Sequence, residues 1–288
     1  MKDLEILQTT VSIGLPKPVR FLHITDSHIS LADENDPPEI QTLAKARRET
    51  CFELDTSEGD TVRFYQEALA YAQKSKLFVV CTGDLIDFMS HANFAFLDKA
   101  FDGVDYVYAL GNHDICRYVG GDTEDTAYKW NNMKKTAAHI TSNLYIDSKI
   151  YGGVNFITVD NSYYLMDAGQ IAFMRAEAAK GYPMVLCMHT PLYTPRFAED
   201  RLAAEKTCSY LMAPPEELLA RYTPDRREQQ AADEMTLRAV EYIESEPLIK
   251  AVFAGHMHYS FEEPLKSGVM QYTTDGSYRG IVREVCLL

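Results

Sequence analysis

The chain has 288 residues, of which 46% are hydrophobic and 24% are charged, a composition typical of a globular protein with a substantial core. A net charge of −14 argues against a nucleic-acid partner, because contact with a phosphate backbone normally requires a basic face. The sequence has no apolar run of the roughly 18 residues that span a bilayer and no signal-peptide core near residue 1, so we expect a cytoplasmic protein without a membrane partner.

Short apolar runs rich in β-branched residues predict six buried strands. In chain order they cover residues 19–25, 76–82, 105–110, 154–159, 182–188 and 249–254. Helical periodicity predicts helices over residues 61–75, 168–180 and 227–244. Strands that alternate with helices predict a layered α/β fold.

The rest of the chain departs from this alternation. Residues 267–288 alternate in polarity and contain Asp275-Gly276, a dipeptide typical of hairpin turns, so we expect two or three closing strands, some of them antiparallel. Residues 31–60 are polar, and residues 195–227 are rich in proline and charge. We interpret both segments as insertions into a single domain of residues 1–288. Both would leave the sheet at the edge where a site is expected, the first as a lid or a partly mobile segment.

Residues of types that commonly bind metals follow five of the apolar runs. They should lie close together, because ligands of open α/β sheets bind at the carboxyl ends of the strands. The candidate ligands are Asp26, His28, Asp84, Asn112, His189, His256 and His258. Imidazole and carboxylate without thiolate favour Zn, Mn, Fe, Ni or Co over a structural cysteine zinc site. Seven ligands are too many for one ion, but two ions that share a bridging carboxylate account for all of them.

The segment Gly255-His256-Met257-His258 illustrates why two ions are expected. An apolar run stops at Gly255, and two histidines follow with one residue between them. One strand end could then supply one imidazole to each of two neighbouring ions. Two ions about 3.5–4 Å apart are a common device for in-line displacement at phosphorus, because they orient the phosphate and neutralise its developing charge.

The motifs D-x-H, G-D-x-x-D, G-N-H-D, H and G-H-x-H, in this order, resemble the calcineurin-like metallophosphoesterase superfamily, and its phosphodiesterase-type branch most closely. The resemblance runs from Asp26 to His258. It implies the metallophosphoesterase fold, a central two-sheet β-sandwich flanked by helices. It also implies two divalent or trivalent transition-metal ions, such as Mn²⁺, Fe²⁺, Fe³⁺ or Zn²⁺.

The same resemblance implies a role for each matching residue. The first metal would be held by Asp26, His28 and His258, and the second by Asn112, His189 and His256. Asp84 would bridge the two metals. His113 would stabilise the transition state and protonate the leaving alkoxide, Asp87 would orient His113, and Asp114 would support the ligands from behind.

One departure narrows the choice within the superfamily. Residue 88 is Phe88, where the protein phosphatases of this superfamily carry arginine, and this argues against a Ser/Thr protein phosphatase. We therefore expect a phosphoesterase that hydrolyses a small-molecule phosphodiester, such as a cyclic nucleotide or a glycerophosphodiester, by attack of a metal-bridging hydroxide. Alternatives are a phosphomonoesterase acting on a nucleotide or sugar phosphate, a nuclease, and a non-catalytic metal-bound interaction scaffold. The sequence leaves the oligomeric state open.

The sequence also allows expectations for several residues outside these motifs. We expect His23 to be a core residue and His91 and His139 to lie at the surface. Residues 160–164 are interpreted as a strand–loop junction, with pocket-lining roles for Asn161, Tyr163 or Tyr164 as the alternative. Three arginines are expected to be solvated surface charges, with contact to a second phosphate as the alternative: Arg196, Arg201 and Arg279.

Overall fold

The computed structural model describes residues 2–119 and 125–288. Its first sheet contains, in spatial order, β1 (Glu5–Val11), β11 (Ile281–Leu287), β2 (Val19–Ile24), β3 (Phe78–Cys81) and β4 (Tyr106–Tyr108). Strands β2, β3 and β4 run parallel, whereas β11 is antiparallel to β2 and parallel to β1. The first three predicted apolar runs therefore form neighbouring strands whose carboxyl ends lie at one edge.

The second sheet contains the other three predicted runs. Its spatial order is β5 (Ile146–Tyr151), β6 (Val154–Val159), β7 (Met184–Met188), β8 (Ile249–Ala254), β10 (Met270–Thr273) and β9 (Phe261–Pro264). Strands β6, β7, β8 and β10 run parallel, and β5 and β9 are antiparallel edge strands. Every side chain of β6 and β7 is buried, as expected for strands covered on both faces.

The two sheets pack face to face through aromatic side chains. The ring of Phe21 in β2 lies 5.3 Å from that of Phe156 in β6 and 5.1 Å from that of Phe253 in β8. Helices α2 (Asp60–Ser75), α3 (His91–Leu97) and α4 (Thr126–Thr136) cover the outer face of the first sheet, while α5 (Ala168–Ala178) and α9 (Glu234–Ser245) cover that of the second. The predicted α/β fold, a two-sheet sandwich flanked by helices, is confirmed. The helices of residues 2–119 and 125–288 are too short or too polar to cross a membrane.

The two insertions are folded segments. The first contains α1 (Pro38–Arg47) and a π-helical turn, Arg48–Phe52. Ile40 and Ala44 of α1 bury their side chains beside Phe88. The second contains α6 (Pro195–Glu205), α7 (Glu216–Leu219) and α8 (Pro224–Gln230), and α6 and α7 share a separate apolar cluster.

Two predictions about local structure were wrong. The single helix expected over residues 227–244 is two helices, because the side chain of Asp233 accepts a hydrogen bond from the Thr236 amide and starts α9 there. Asp275-Gly276 is not a hairpin turn, because β10 and β11 belong to different sheets. The chain crosses between the sheets at this point, and the amides of Ser277 and Tyr278 donate to the carbonyls of Thr25 and Asp26.

Candidate metal centre

Loops that follow β2, β3, β4, β7 and β8 bring the predicted ligands to one place. Three groups of side chains in the described part of the chain have atoms close enough to share an ion. They are Asp26, His28 and His258; Asp84, His189 and His256; and His28, Asp87 and His113. The first two groups match the two predicted halves, and the third lies directly behind the first.

The first half of the centre has the spacing of ligands around one ion. His258 Nε2 lies 2.9 Å from His28 Nε2 and 3.3 Å from Asp26 Oδ1, and His28 Nε2 lies 3.8 Å from Asp26 Oδ1. Ligands bound to a metal at about 2.0–2.2 Å must lie about 3–3.6 Å from one another. Small adjustments would let the three atoms hold one ion.

The second half is built in the same way. His189 Nε2 lies 3.2 Å from His256 Nδ1 and 3.1 Å from Asp84 Oδ2. Asn112 lines a cavity together with His256, and its Oδ1 is a buried acceptor with no hydrogen-bond partner among the described residues. A buried carbonyl oxygen without a partner is costly unless a ligand satisfies it, and a metal ion would do so.

Asp84 stands between the two halves. Its Oδ2 lies 3.1 Å from His189 Nε2 and 3.8 Å from His28 Nε2, while its Oδ1 accepts a hydrogen bond from the His113 amide at 2.8 Å. One carboxylate oxygen therefore faces nitrogen ligands of both halves. This is the position that a bridging ligand requires.

The far nitrogen of each ligand imidazole has its own partner. His28 Nδ1 lies 3.2 Å from Asp87 Oδ1, and His189 Nδ1 lies 2.7 Å from the Thr82 carbonyl. The other two face tyrosine hydroxyls, with His256 Nε2 2.8 Å from Tyr164 and His258 Nδ1 3.3 Å from Tyr278. Such partners fix ring orientation and tautomer in metal sites, so one nitrogen of each ring is left for an ion.

The backbone of the ligand residues is strained. Asp26, His28, Asp84, His256 and His258 have φ between 45° and 68°, a left-handed conformation that residues other than glycine seldom adopt. Such strain costs free energy and persists where the surrounding structure holds it, which is common at functional sites. Here it turns successive side chains of the D-x-H and G-H-x-H motifs toward the centre.

Two glycines allow these loops to approach closely. A Cβ atom on Gly111 would lie 2.1 Å from Asp84 Oδ1, and one on Gly255 would lie 1.9 Å from Thr25 Oγ1. Any side chain at either position would displace a loop that carries a ligand. The glycines of the G-N-H-D and G-H-x-H motifs are therefore explained by packing at the centre.

The electrostatics of the centre favour bound cations. Burial would raise the pKa of Asp26, but hydrogen bonds from His258 and His28 hold it well below its usual value. Burial lowers the pKa of His28 and His189, yet contacts with the aspartates outweigh it and raise these values to about 10 and about 9. Burial and the charge of His189 lower the pKa of His256 to about 3. Protons and metal ions therefore compete for the imidazoles beside these carboxylates.

Asp87 and His113 form a contact behind the first half. His113 Nδ1 lies 2.7 Å from Asp87 Oδ1, as the sequence predicts, and Tyr118 Oη lies 2.9 Å from His113 Nε2. The buried Asp87 also receives two hydrogen bonds from Arg47 of the first insertion, at 2.6 and 3.0 Å. Burial would raise the pKa of Asp87, but these partners hold it well below its usual value.

Asp114 connects two of the ligand loops. Its carboxylate accepts hydrogen bonds from the amides of Asp84, Leu85, Ile86 and Gly111, at 2.8 to 3.3 Å. Burial and the nearby charge of Asp84 raise its pKa to about 6. Asp114 therefore joins the loop that follows β3 to the loop that follows β4.

A cavity of about 620 Å³ opens beside the second half of the centre. Its described lining is Asn112, His113, Tyr118, Asp125, Thr126, Ser162, Tyr163, Tyr164, Leu165, Tyr210, Arg226, Gln229 and His256. Residues 160–164 form the junction between β6 and the following loop, as interpreted from the sequence, and Tyr163 and Tyr164 of this junction also line the cavity. Asn161 does not, because its buried amide contacts the backbone at His189 and Thr190 instead.

The remaining histidines are not among the candidate ligand groups, whereas Arg279 lies next to the centre and donates from Nη1 to the His258 carbonyl at 2.9 Å. His23 is a buried core residue between the hydroxyls of Thr82 and Thr274. His91 is exposed and contacts Asp33, and His139 is partly exposed and contacts Asp98. Each of the three arginines considered for a second phosphate is paired with a carboxylate: Arg196 with Glu263, Arg201 with Glu205 and Arg279 with Asp275.

Sequence reasoning missed the residues that hold the ligands from outside. Thr82 acts through its backbone carbonyl, which leaves no sequence signal. Tyr278 and Arg47 come from segments without a readable motif, and Tyr278 is brought in by the crossing between the sheets. Tyr164 had a signal, since it closely follows a strand that ends at the same edge.

The sequence and the fold both resemble those of known proteins. A family model described as calcineurin-like phosphoesterase matches residues 19–260. No curated protein matches the sequence. Among solved structures, the chain is similar to a dimetal phosphatase from Danio rerio, with 14% identity, a TM-score of 0.49, and coverage of 90% of this chain and 88% of that one.

Two further solved structures are also similar. The first is a putative 5'-nucleotidase from Staphylococcus aureus, with 12% identity, a TM-score of 0.48, and coverage of 91% of this chain and 49% of that one. The chain thus spans about half the length of that nucleotidase. The second is the calcineurin-like phosphoesterase YfkN from Bacillus subtilis, with 10% identity, a TM-score of 0.44, and coverage of 91% and 82%.

Proposed function

The chain belongs to the calcineurin-like phosphoesterase family, and on this premise we propose that it binds two transition-metal ions and hydrolyses a small-molecule phosphodiester. Asp26, His28 and His258 would hold one ion, and Asn112, His189 and His256 the other. Asp84 would contact both. When bound, two such ions supply Lewis acidity that lowers the pKa of water and neutralises charge on a phosphoryl group.

One observation carries the proposal that metals bind here. Asn112 lines the cavity together with His256, and its Oδ1 is buried without a hydrogen-bond partner among the described residues. Other buried amide oxygens in the described part of the chain, such as Asn155 Oδ1, also lack a partner, but Asn112 is the residue among them that lines the cavity beside His256. This oxygen supports a ligand role for Asn112.

A residue of this chain can protonate the leaving group. Asp87 holds His113 by Nδ1, and His113 lines the cavity together with Tyr118. We assign to His113 the transfer of a proton from Nε2 to the departing alkoxide. The contact with Asp87 fixes the orientation of the His113 ring, so Nε2 is presented in the same way to each substrate molecule.

The cavity supports a diester over a monoester. A phosphomonoester approaches two negative charges near pH 7, whereas a diester carries one. In the described lining, Arg226 is the only lysine or arginine, and four of the side chains are tyrosines. A second ester group would find aromatic contacts there, while a dianion would find little positive charge beyond the ions themselves.

The test compares a diester with a monoester on metal-free and metal-restored protein. We would remove metal with a chelator, restore Mn²⁺, and measure kcat/KM for bis-(p-nitrophenyl) phosphate and p-nitrophenyl phosphate. An Asp84→Asn variant purified in parallel controls for contaminating phosphatases. Metal-dependent activity that prefers the diester is the expected result.

Other results would change the proposal in defined ways. A preference for the monoester would favour the phosphomonoesterase alternative. No turnover of either compound, with two Mn²⁺ still bound per chain, would favour the non-catalytic scaffold.

A further inference from the structure

The first insertion reaches the candidate centre with two side chains. Phe52, in the turn after α1, stacks on the ring of His28 with centroids 4.2 Å apart and planes within 9°. Arg47, at the end of α1, donates from Nε and Nη2 to the two different carboxylate oxygens of Asp87. The insertion therefore touches both a candidate metal ligand and the carboxylate that holds His113.

The contact between Arg47 and Asp87 has the geometry of a strong pair. Two parallel hydrogen bonds between a guanidinium and a carboxylate fix orientation as well as charge. Asp87 is fully buried, and the side chain of Arg47 is only 24% exposed. Breaking such a pair leaves a buried carboxylate without its main counter-charge.

Arg47 is itself held in place. Its guanidinium lies 4.9 Å from the centroid of the Phe52 ring and 5.0 Å from that of Tyr118. Helix α1 is anchored beside Phe88, the residue that follows Asp87 in the chain. The loop that bears Asp87 and the helix that bears Arg47 thus pack as one unit.

Asp87 connects Arg47 to two imidazoles of the centre. A single oxygen, Oδ1, lies 2.7 Å from His113 Nδ1, 3.2 Å from His28 Nδ1 and 3.0 Å from Arg47 Nη2. Without Arg47, Asp87 Oδ2 would keep the weaker contact with the Ser30 hydroxyl, at 3.3 Å, and the carboxylate could rotate and favour one imidazole over the other.

We propose that Arg47 is a positioning residue that acts through Asp87 and makes the inserted segment of residues 31–60 part of the working site. It fixes the carboxylate that orients both His113 and the metal-facing His28. Arg47 itself contacts neither a candidate ion nor a predicted substrate atom. The inference rests on the proposed function, on hydrolysis for its kinetic readout and on metal binding for its titration.

The experiment uses the full chain with Mn²⁺ restored and compares five variants with the native protein. Arg47→Ala removes the pair, and Arg47→Lys keeps the charge but cannot make both hydrogen bonds. Lys45→Ala is the matched control, because Lys45 is a basic residue of the same helix whose side chain is 70% exposed. Arg47→Ala combined with Asp87→Asn, measured against Asp87→Asn alone, tests whether the two residues act together.

Two readouts are measured for each variant. The first is kcat and KM on bis-(p-nitrophenyl) phosphate. Arg47→Ala should lower kcat about 10-fold to 100-fold, the usual cost of losing a residue that orients a ligand, and change KM about threefold at most. Arg47→Lys should recover part of the rate, and Lys45→Ala should match the native protein. In the Asp87→Asn background, Arg47→Ala should lower kcat less than about twofold.

The second readout is Mn²⁺ affinity by calorimetric titration, which needs no activity. Arg47→Ala should weaken one of the two sites about threefold or more, because His28 loses its fixed partner. If Arg47→Ala does not fold, Arg47→Lys decides the question with the same two measurements. Equal kcat and Mn²⁺ affinity in the Arg47 variants and Lys45→Ala would overturn the inference, as would an undiminished effect in the Asp87→Asn background. If the native protein is inactive, the proposed function fails, and the titration alone decides the role of Arg47.

Discussion

At the scale of single residues, Asp84 faces both halves of the candidate centre. Its Oδ2 is the only carboxylate oxygen in the described part of the chain that lies within 4 Å of imidazole nitrogens from both halves. Its other oxygen is already committed to the His113 amide. A change at this residue should therefore affect two ions at once.

Asp84→Asn is expected to reduce metal content from two ions per chain to fewer than one. The amide keeps the shape of the side chain but removes the charge that both ions would share. Metal analysis of Mn²⁺-restored protein after gel filtration measures the result. Asp36→Asn, at a buried carboxylate near the start of α3, is the control and should keep both ions. Two ions per chain in Asp84→Asn would refute the bridging role.

His113→Ala should separate binding from turnover. His113 lies beside the centre but its side chain contacts Asp87 and Tyr118, so we expect the variant to keep both metals. Loss of a proton donor should lower kcat about 10²-fold to 10⁴-fold. Metal analysis and steady-state kinetics on the same sample give both quantities. A variant with native kcat would remove His113 from the mechanism.

At the scale of elements, each predicted apolar run forms a buried strand. A short run that is apolar on both faces is stable only where both faces are covered, as in the interior of a sheet. Strands β1, β5 and β9 were missed. They are polar edge strands with partly exposed side chains, as in Ile146–Tyr151. Strand β1 also pairs with β11, which is distant in the chain, whereas β5 and β9 pair with the next strand along the chain. Edge strands of this kind carry too weak an apolar signal to be read from sequence.

The break between α8 and α9 is also an element-scale feature, since it depends on one cap. Asp233→Ala should lower the free energy of unfolding by about 1 kcal/mol, because the Thr236 amide at the start of α9 loses its acceptor. Urea unfolding followed by circular dichroism measures the change. Asp233→Asn, which can still accept this hydrogen bond, should retain most of the stability. An unchanged midpoint for Asp233→Ala would show that packing alone positions α9.

At the scale of the whole molecule, the layered architecture and the identities of the candidate ligands could both be predicted. Each ligand lies in a short motif directly after a strand, so local sequence carries the signal. The partners of those ligands could not be predicted in the same way. Tyr278, Arg47 and Thr82 reach the centre through the crossing between sheets, an insertion and a backbone carbonyl, and these placements depend on tertiary structure.

The crossing between the sheets also has a consequence for how the protein folds. Strand β11 lies between β1 and β2, and His256 and His258 lie 230 residues from Asp26 and His28 along the chain. Contacts of such long sequence separation form late, because a large loop must close before they contribute free energy. During synthesis from the amino terminus, the first sheet cannot be completed until residues 281–287 are available. The candidate metal centre would then be among the last parts of the molecule to assemble, and incomplete chains would lack it.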